Sequence, residues 1–409
     1  MHKSLNGITT MNDISHEIYS NKIRKAAILT LTLKSGNYGG ILQAYALQKV
    51  ITKRVGIDTY VDYPMRMRRS VRVFFGITKR TTVRILFRKK FIIEVNSNLH
   101  DIIVINTRRF IDEHIKTIDL FEGKCRPSAS MLSNYDVYIV GSDQVWRNAY
   151  ADIKNNLLGY ISSRSVRRIS YAASFGRDDI SEYSTKLIHE SGDLANKFDA
   201  LSVREDSGVR IVKEHWGLRA DQHVDPTLLL DRQDYVNLVS EDITNIFDSK
   251  GELFLYMLDN NNLKKDIIRK IAQTLELKLF EIMPPKPLSN KFFKANINKY
   301  QLQPVTQWIK SFIDAKFVVT DSFHGCVFSM IFNKPFIAIG NEGRGLTRFT
   351  SLLKLFGLED RLVLSLEEVT EGLINHKIDW PKVNQTIMYE QKRSFKYLEK
   401  YLNVNVEGK

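Results

Sequence analysis

Hydrophobic positions in this chain come in short runs, and most runs stop abruptly on glycine or polar residues. The run at 23–33 (IRKAAILTLTL) predicts a strand, 35–40 a glycine-rich loop, and the spacing of 41–52 (ILQAYALQKVIT) a helix. The alternating run 135–140 (YDVYIV) predicts a second strand, closing on Gly141-Ser142-Asp143. RISYAAS (168–174) closes on Phe175-Gly176, ALSV (200–203) on Arg204-Glu205-Asp206, and the short run 222–226 is stopped by Pro226. Residues 231–250 are polar and weakly patterned and read as a linker. Alternation then restarts, with strands predicted at 253–258, 277–282, 317–320 and 336–339, helices at 263–275 and 305–312, and a loop at 283–287. An amphipathic helix over 389–401 ends the pattern.

Strands that alternate with helices predict an α/β fold. The expected architecture is two Rossmann-like domains facing a cleft, which is GT-B-like. The expected divisions are a flexible tail (1–22), a first Rossmann-like domain (23–232), a second (250–375) and a C-terminal helical segment (376–409). Ligands of open α/β sheets sit beyond the carboxyl ends of the strands. The glycine and polar endings therefore aim several loops at one crevice.

Composition changes this picture in one place. The chain has 409 residues and a formal charge of +14. Between Arg66 and Lys90 it gathers ten Lys and Arg residues and no acid, interleaved with Met, Val, Phe, Ile and Leu. This basic amphipathic insertion (65–90) suits peripheral contact with an anionic membrane or a phosphate-bearing substrate, and equally a solvated helix. No nucleic-acid motif accompanies it, so no nucleic acid is expected. The first twenty residues lack the apolar core of a secretory signal, and a cytoplasmic protein is expected, with peripheral placement at the inner face of the membrane as the variant. Cys125 and Cys326 lie far apart, without metal-ligand spacing, and read as free thiols. Neither a metal nor a cofactor is expected.

The candidate chemistry sits on the strand endings. Thr320-Asp321-Ser322-Phe323-His324-Gly325 follows a buried-strand pattern. It makes His324 a candidate for proton transfer, or else, less specifically, a residue in a helix first turn capped by Asp321 or Ser322. Asn37, Tyr38, Gly39 and Gly40 form a turn where backbone can approach a ligand. Ser142, Asp143 and Gln144, with Trp146, offer hydrogen bonds and a stacking face for a sugar, or else this is a strand ending in a turn with Trp146 in the core. Arg204 can hold a carboxylate or phosphate bidentately, or simply pair with Glu205 or Asp206.

Taken in order, the strings NYGGILQAYALQ (37–48), DVYIVGSDQVW (136–146), YAASFG (171–176), SVREDSG (202–208), VDPTLLL (224–230) and TDSFHGCVFSMIFNKPF (320–336) resemble the polysaccharide pyruvyl transferase family. The resemblance spans about residues 23–364. It implies transfer of an enolpyruvyl-derived group from phosphoenolpyruvate to a sugar or lipid-linked glycan, leaving a pyruvate ketal, in capsule, exopolysaccharide or cell-wall glycan assembly. It implies catalytic roles for His324 and Arg204, with Arg204 also binding the donor. Many members carry an Arg two residues before that His, where this chain has Ser322. After the predicted 336–339 strand, Arg344 or Arg348 is the expected replacement, with Asn341 also at the donor site, or else Arg348 pairs with an acid on its own helix. The turn residues 37–40 and 142–144 are the expected acceptor site. Two other readings keep the fold: a nucleotide-sugar glycosyltransferase, and a non-catalytic scaffold of a glycan assembly complex.

Overall fold

Two parallel sheets organise the chain, and their central strands are short and buried on both faces. In the computed structural model residues 24–64, 97–162, 166–259, 261–285, 289–340 and 345–402 are described. The predicted tail and the basic insertion 65–90 lie outside them. The first sheet holds β1 (Lys25–Leu29), β2 (Asp58–Asp62), β3 (Thr117–Ile118), β4 (Val137–Val140) and β5 (Arg167–Ser170), in the order β3-β2-β1-β4-β5. Parallel bridges Ile169↔Ala200 and Ala173↔Val203 attach β6 (Ser202–Val203), which pairs with β7 (Asp221–Gln222). The extended order is therefore the Rossmann order 3-2-1-4-5-6.

The second sheet holds β8 (Leu253–Tyr256), β9 (Leu279–Glu281), β10 (Phe317–Thr320), β11 (Phe336–Ile339) and β12 (Leu362–Val363), in the order β12-β11-β10-β8-β9. Counted from its own first strand, this is the other common doubly wound order, 2-1-3-4-5. Its strands FVVT and FIAI are buried throughout. Continuous apolar runs of this kind belong to parallel sheets covered on both sides. The two Rossmann-like halves expected from the sequence are thus present, with different strand orders.

The halves are not separated by an open gap at their centre. One hydrophobic cluster runs through both, joining Ile41 and Leu42 of the first half to Phe254, Trp308 and Phe328 of the second. Tyr38 stacks on Trp308 with ring centroids 5.7 Å apart, and its hydroxyl donates to the Gln303 carbonyl. Such ring pairs contribute about 0.5–1.5 kcal/mol beyond area burial.

The supposed linker is mostly structured. A helix, Arg232–Glu241, forms there with a capping box between Asp231 and Asp234. It buries only Tyr235 and Leu238, too few apolar positions to show a period in the sequence. Tyr235 meets Phe328 edge-on at 4.9 Å, so this helix also belongs to the packing between halves.

The last helix runs over Trp380–Leu402, nine residues earlier than its amphipathic signal, and returns to the first half. Tyr397 donates to the Ser170 carbonyl at 2.8 Å and Gln391 to the Leu228 carbonyl at 2.9 Å. His223 lies stacked beside Tyr171 and Tyr397, with Ser394 Oγ 3.2 Å from its Nδ1. Burial, reinforced by the nearby Arg393 charge and opposed by Asp221, lowers its pKa from 6.5 to about 4. The unfolded chain therefore takes up this proton at a higher pH than the folded one. His223 contributes fully above pH 6.5, and that contribution is lost as pH falls toward 4, by about 3 kcal/mol. We expect urea midpoints of the wild type to drop across this window more steeply than those of His223→Phe. Equal slopes would show that the latch does not titrate.

Among the described residues no helix is long and apolar enough to cross a membrane, and no cluster of metal-ligating side chains occurs. Cys125 and Cys326 are free thiols.

Candidate active site

The carboxyl ends of both sheets face one another, and their polar endings meet. In the first half the switch point lies between β1 and β4. Gln43, from the helix Tyr38–Val50, spans it. Its Nε2 donates to Thr30 Oγ1 and the Gly40 carbonyl, and its Oε1 accepts from the backbone N–H and hydroxyl of Ser142. This fixes the turn after β4 and so places the next residue, Asp143.

Asp143 is one of three carboxylates around Arg204, which follows β6. Arg204 Nε donates to Glu205 at 3.0 Å, Nη1 to Asp225 at 2.9 Å and Nη2 to Asp143 at 3.3 Å. The guanidinium also lies over the Phe323 ring, 4.2 Å from its centroid. Burial works against the charge on Arg204, but Glu205, Asp143 and Asp225 outweigh it and raise its pKa. Arg204 is thus held on every edge, not by a surface pair.

In the second half the chain leaves β10 and enters the helix Phe323–Ile331. Ser322 is its N-cap, with Oγ accepting from Gly325 N–H at 3.4 Å. The Asp321 carboxylate accepts from the backbone of Leu258 and Asp259, at the end of β8, and from Lys264 Nζ at 2.5 Å. Lys264 also bonds Asp259. The second switch point is therefore filled by the protein's own buried ion cluster, which ties the β8 and β10 endings together. His324 stands in the first turn of the helix.

The two halves meet on Asp225. Its Oδ2 is 2.9 Å from Arg204 Nη1 and 3.5 Å from His324 Nε2. Its Oδ1 accepts from Thr227 N–H at 3.1 Å and the Thr227 hydroxyl at 2.7 Å. Exposure is 5% for Arg204, 6% for His324 and 1% for Asp225. Burial alone would raise the Asp225 pKa, but His324 and Arg204 hold it well below the ordinary carboxylate value. Arg348 joins the cluster electrostatically. Burial and the Arg204 charge lower its pKa, while Asp143 and Glu205 act the other way. Three carboxylates, two guanidiniums and one imidazole thus share this site.

Several of the expected acceptor-site residues are engaged by the protein's own contacts. Tyr38 is in the aromatic packing between halves, and Asn37 caps its helix by accepting from Gly40 N–H at 3.2 Å. Gly39 faces His324 directly: a β-carbon there would overlap the ring at Nδ1 and Cγ. Ser142 is buried on Gln43, and Gln144 accepts from Arg147 Nη1 at 3.0 Å. Trp146 is fully buried in the first half's core rather than offering a stacking face. Asn341 and Arg344 lie outside the described residues. Gly345, just after them, reaches across to the Gly176 carbonyl so closely that a β-carbon would not fit.

Glu205 pairs with Arg204, one of the readings the sequence allowed, whereas Asp225, Gln43 and Lys264 had no assigned role there. Only Asp225 carried a usable signal, an acid directly before the Pro226 that ends a strand.

Gly39 gives a direct test of this packing. Gly39→Ala should displace the imidazole or part the halves, and lower turnover about tenfold or more, since small misplacements of reacting groups are costly. Wild-type turnover in that variant, read from steady-state rates, would mean that His324 need not lie against this turn.

Two doubly wound halves that bring an arginine and a histidine onto one buried carboxylate define a two-domain α/β enzyme. The family model for polysaccharide pyruvyl transferase matches residues 37–343, and the chain belongs to that family. No curated protein sequence matches the chain. Among solved structures it is similar to UDP-GlcNAc 2-epimerase from Methanocaldococcus jannaschii, at 12% identity and TM-score 0.48, covering 91% of this chain and 99% of that one. It is also similar to S. aureus MnaA in its UDP co-structure, at 12% identity and TM-score 0.46, covering 95% and 99%. The UDP-GlcNAc 2-epimerase from Neisseria meningitidis gives 11% identity and TM-score 0.43, covering 94% of each chain. Identities this low say nothing of a shared activity.

Proposed function

We propose that this enzyme transfers the enolpyruvyl-derived group of phosphoenolpyruvate to two hydroxyls of one sugar in a polysaccharide or lipid-linked glycan precursor. The observation that carries this reading is the meeting of Arg204 and His324, from opposite halves, on Asp225 within a chain of this family. Vinyl carbon C3 takes a proton from His324 while an acceptor oxygen adds to C2. The bond from C2 to the phosphate oxygen breaks, and phosphate leaves with the electron pair. A second hydroxyl oxygen then closes the ketal. Of the two hydroxyl protons released, one balances the proton delivered to C3 and the other leaves with phosphate. No redox partner is needed.

A donor with carboxylate and phosphate groups needs fixed positive charge. Arg204 is already enclosed by three carboxylates, so Arg348 is the better candidate for direct phosphate contact, with Arg344 as the other. These stand in for the arginine that position 322 lacks. In this reading donor and acceptor reach the three buried central residues when the halves part. The proposed setting is the cytoplasmic face of the membrane, where a lipid-linked acceptor would be presented.

The reading is tested by phosphate release from phosphoenolpyruvate in the presence of a panel of hexopyranosides with free 4- and 6-hydroxyls. Release that depends on the sugar, with a ketal visible by NMR, is expected. Thermal stabilisation by uridine or guanosine sugar nucleotides, with no turnover of phosphoenolpyruvate, would overturn it.

A further inference from the structure

We infer that Asp225 is a positioning residue that acts through His324, and that Nδ1 is the nitrogen that transfers the proton. This rests on the reading above, in which His324 moves a proton.

The imidazole is held between two features from the first half. On one side Nε2 lies 3.5 Å from Asp225 Oδ2. On the other, Nδ1 faces Gly39, at the turn where the helix Tyr38–Val50 begins. A proton-transfer imidazole works best when a carboxylate fixes one nitrogen, so that the other is presented in a single tautomer and orientation. Asp225 has the geometry for that task. Both hydrogen bonds from Thr227 fall on Oδ1, and Arg204 Nη1 and His324 share Oδ2. The carboxylate has no freedom to turn away.

The far nitrogen then decides where the reacting atom sits. Nδ1 is the nitrogen turned away from Asp225, toward Gly39, so proton transfer is directed to that side of the ring. The arrangement also gives Arg204 a role beyond donor charge. Through Nη1 it holds Asp225, and through its face it lies on Phe323, the neighbour of His324. The imidazole is aligned only when both halves are in place, because Asp225 belongs to the first and His324 to the second.

The step balances as written for the reaction: Nδ1–H breaks, the C3–H bond forms, and the imidazole is left neutral. Asp225 keeps its charge throughout and exchanges no proton.

A double-mutant cycle on the full chain separates positioning from mere stability. Asp225→Asn should lower kcat about 10–100-fold with little change in KM for phosphoenolpyruvate, and should cost no more than about twofold in a His324→Ala background. Thr227→Val keeps the Asp225 charge and the backbone N–H bond but removes the hydroxyl bond to Oδ1, and should lower kcat about three- to tenfold, again only when His324 is present. It serves if Asp225→Asn fails to fold. Losses that multiply across both cycles, or that fall on KM alone, would overturn the inference and leave the proposed reaction standing. A wild-type enzyme that releases no phosphate with any acceptor of the panel would overturn the reaction itself, whatever Asp225 does.

Discussion

His324→Ala is expected to lower kcat by about 10³-fold while changing KM for phosphoenolpyruvate by less than about threefold, in the range that general acid–base groups contribute. The reason is positional. His324 is nearly inaccessible and lies on Asp225, behind the Arg204 cluster. In the proposed reaction donor charge is met by guanidiniums, not by this ring. Removing the imidazole also relieves the close fit against Gly39, so the variant should fold and the halves should still close. His324→Gln is the control, since it keeps a polar group of similar reach but cannot donate a proton of the right acidity. Both variants should show the same loss. Near-normal kcat in either would remove the ring from proton transfer. A large rise in KM with kcat intact would make it a donor-binding residue.

Much of this arrangement is legible in the sequence, and the boundary between what is and what is not follows from physics. Strands such as VYIV and FVVT announce themselves because a doubly covered parallel strand must be continuously apolar. Their endings at Gly141 and Thr320 point to the site, because polar residues at the carboxyl ends of such sheets mark the functional side. His324 and Arg204 were visible for that reason. Asp225 was much less so, because its importance comes from partners at positions 204 and 324, which only the closed fold brings together. Tyr38 shows the opposite failure. Beside a glycine turn it looks like a ligand contact, yet its ring is buried against Trp308 of the other half. Local sequence cannot distinguish a loop that faces solvent from one that faces a second domain. Short elements were lost for a different reason. The helix Arg232–Glu241 buries two residues, and β3 and β12 are two residues each, below any measurable period. The basic insertion 65–90 remains outside the described residues, and its membrane role stays a proposal tested by co-sedimentation with anionic vesicles.

Arg204→Ala is expected to destabilise the fold by about 3–5 kcal/mol, the usual effect of removing one member of a buried ionic group. Donor binding should weaken as well, but as a consequence. In the wild type the guanidinium answers Glu205, Asp225 and Asp143 at once. Its loss leaves three carboxylates facing one another, with His324 and Arg348 the cationic side chains near them among the described residues. The sign of the pH dependence identifies this cause. In the wild type Asp225 has a depressed pKa, so its contribution is present above the ordinary 3.8 and is lost as pH falls through the lower folded value. In the variant the same carboxylates are buried without their main cation, and protonation in the folded state becomes favourable. The stability gap between wild type and Arg204→Ala should therefore narrow as pH falls from 7 to 5, as measured by urea midpoints. Arg204→Lys should recover only part of the loss, because an ammonium cannot meet three carboxylates along the fixed edges of a planar fork. A constant gap across pH, or full recovery by lysine, would mean that Arg204 serves the donor directly and that the carboxylates around it are incidental.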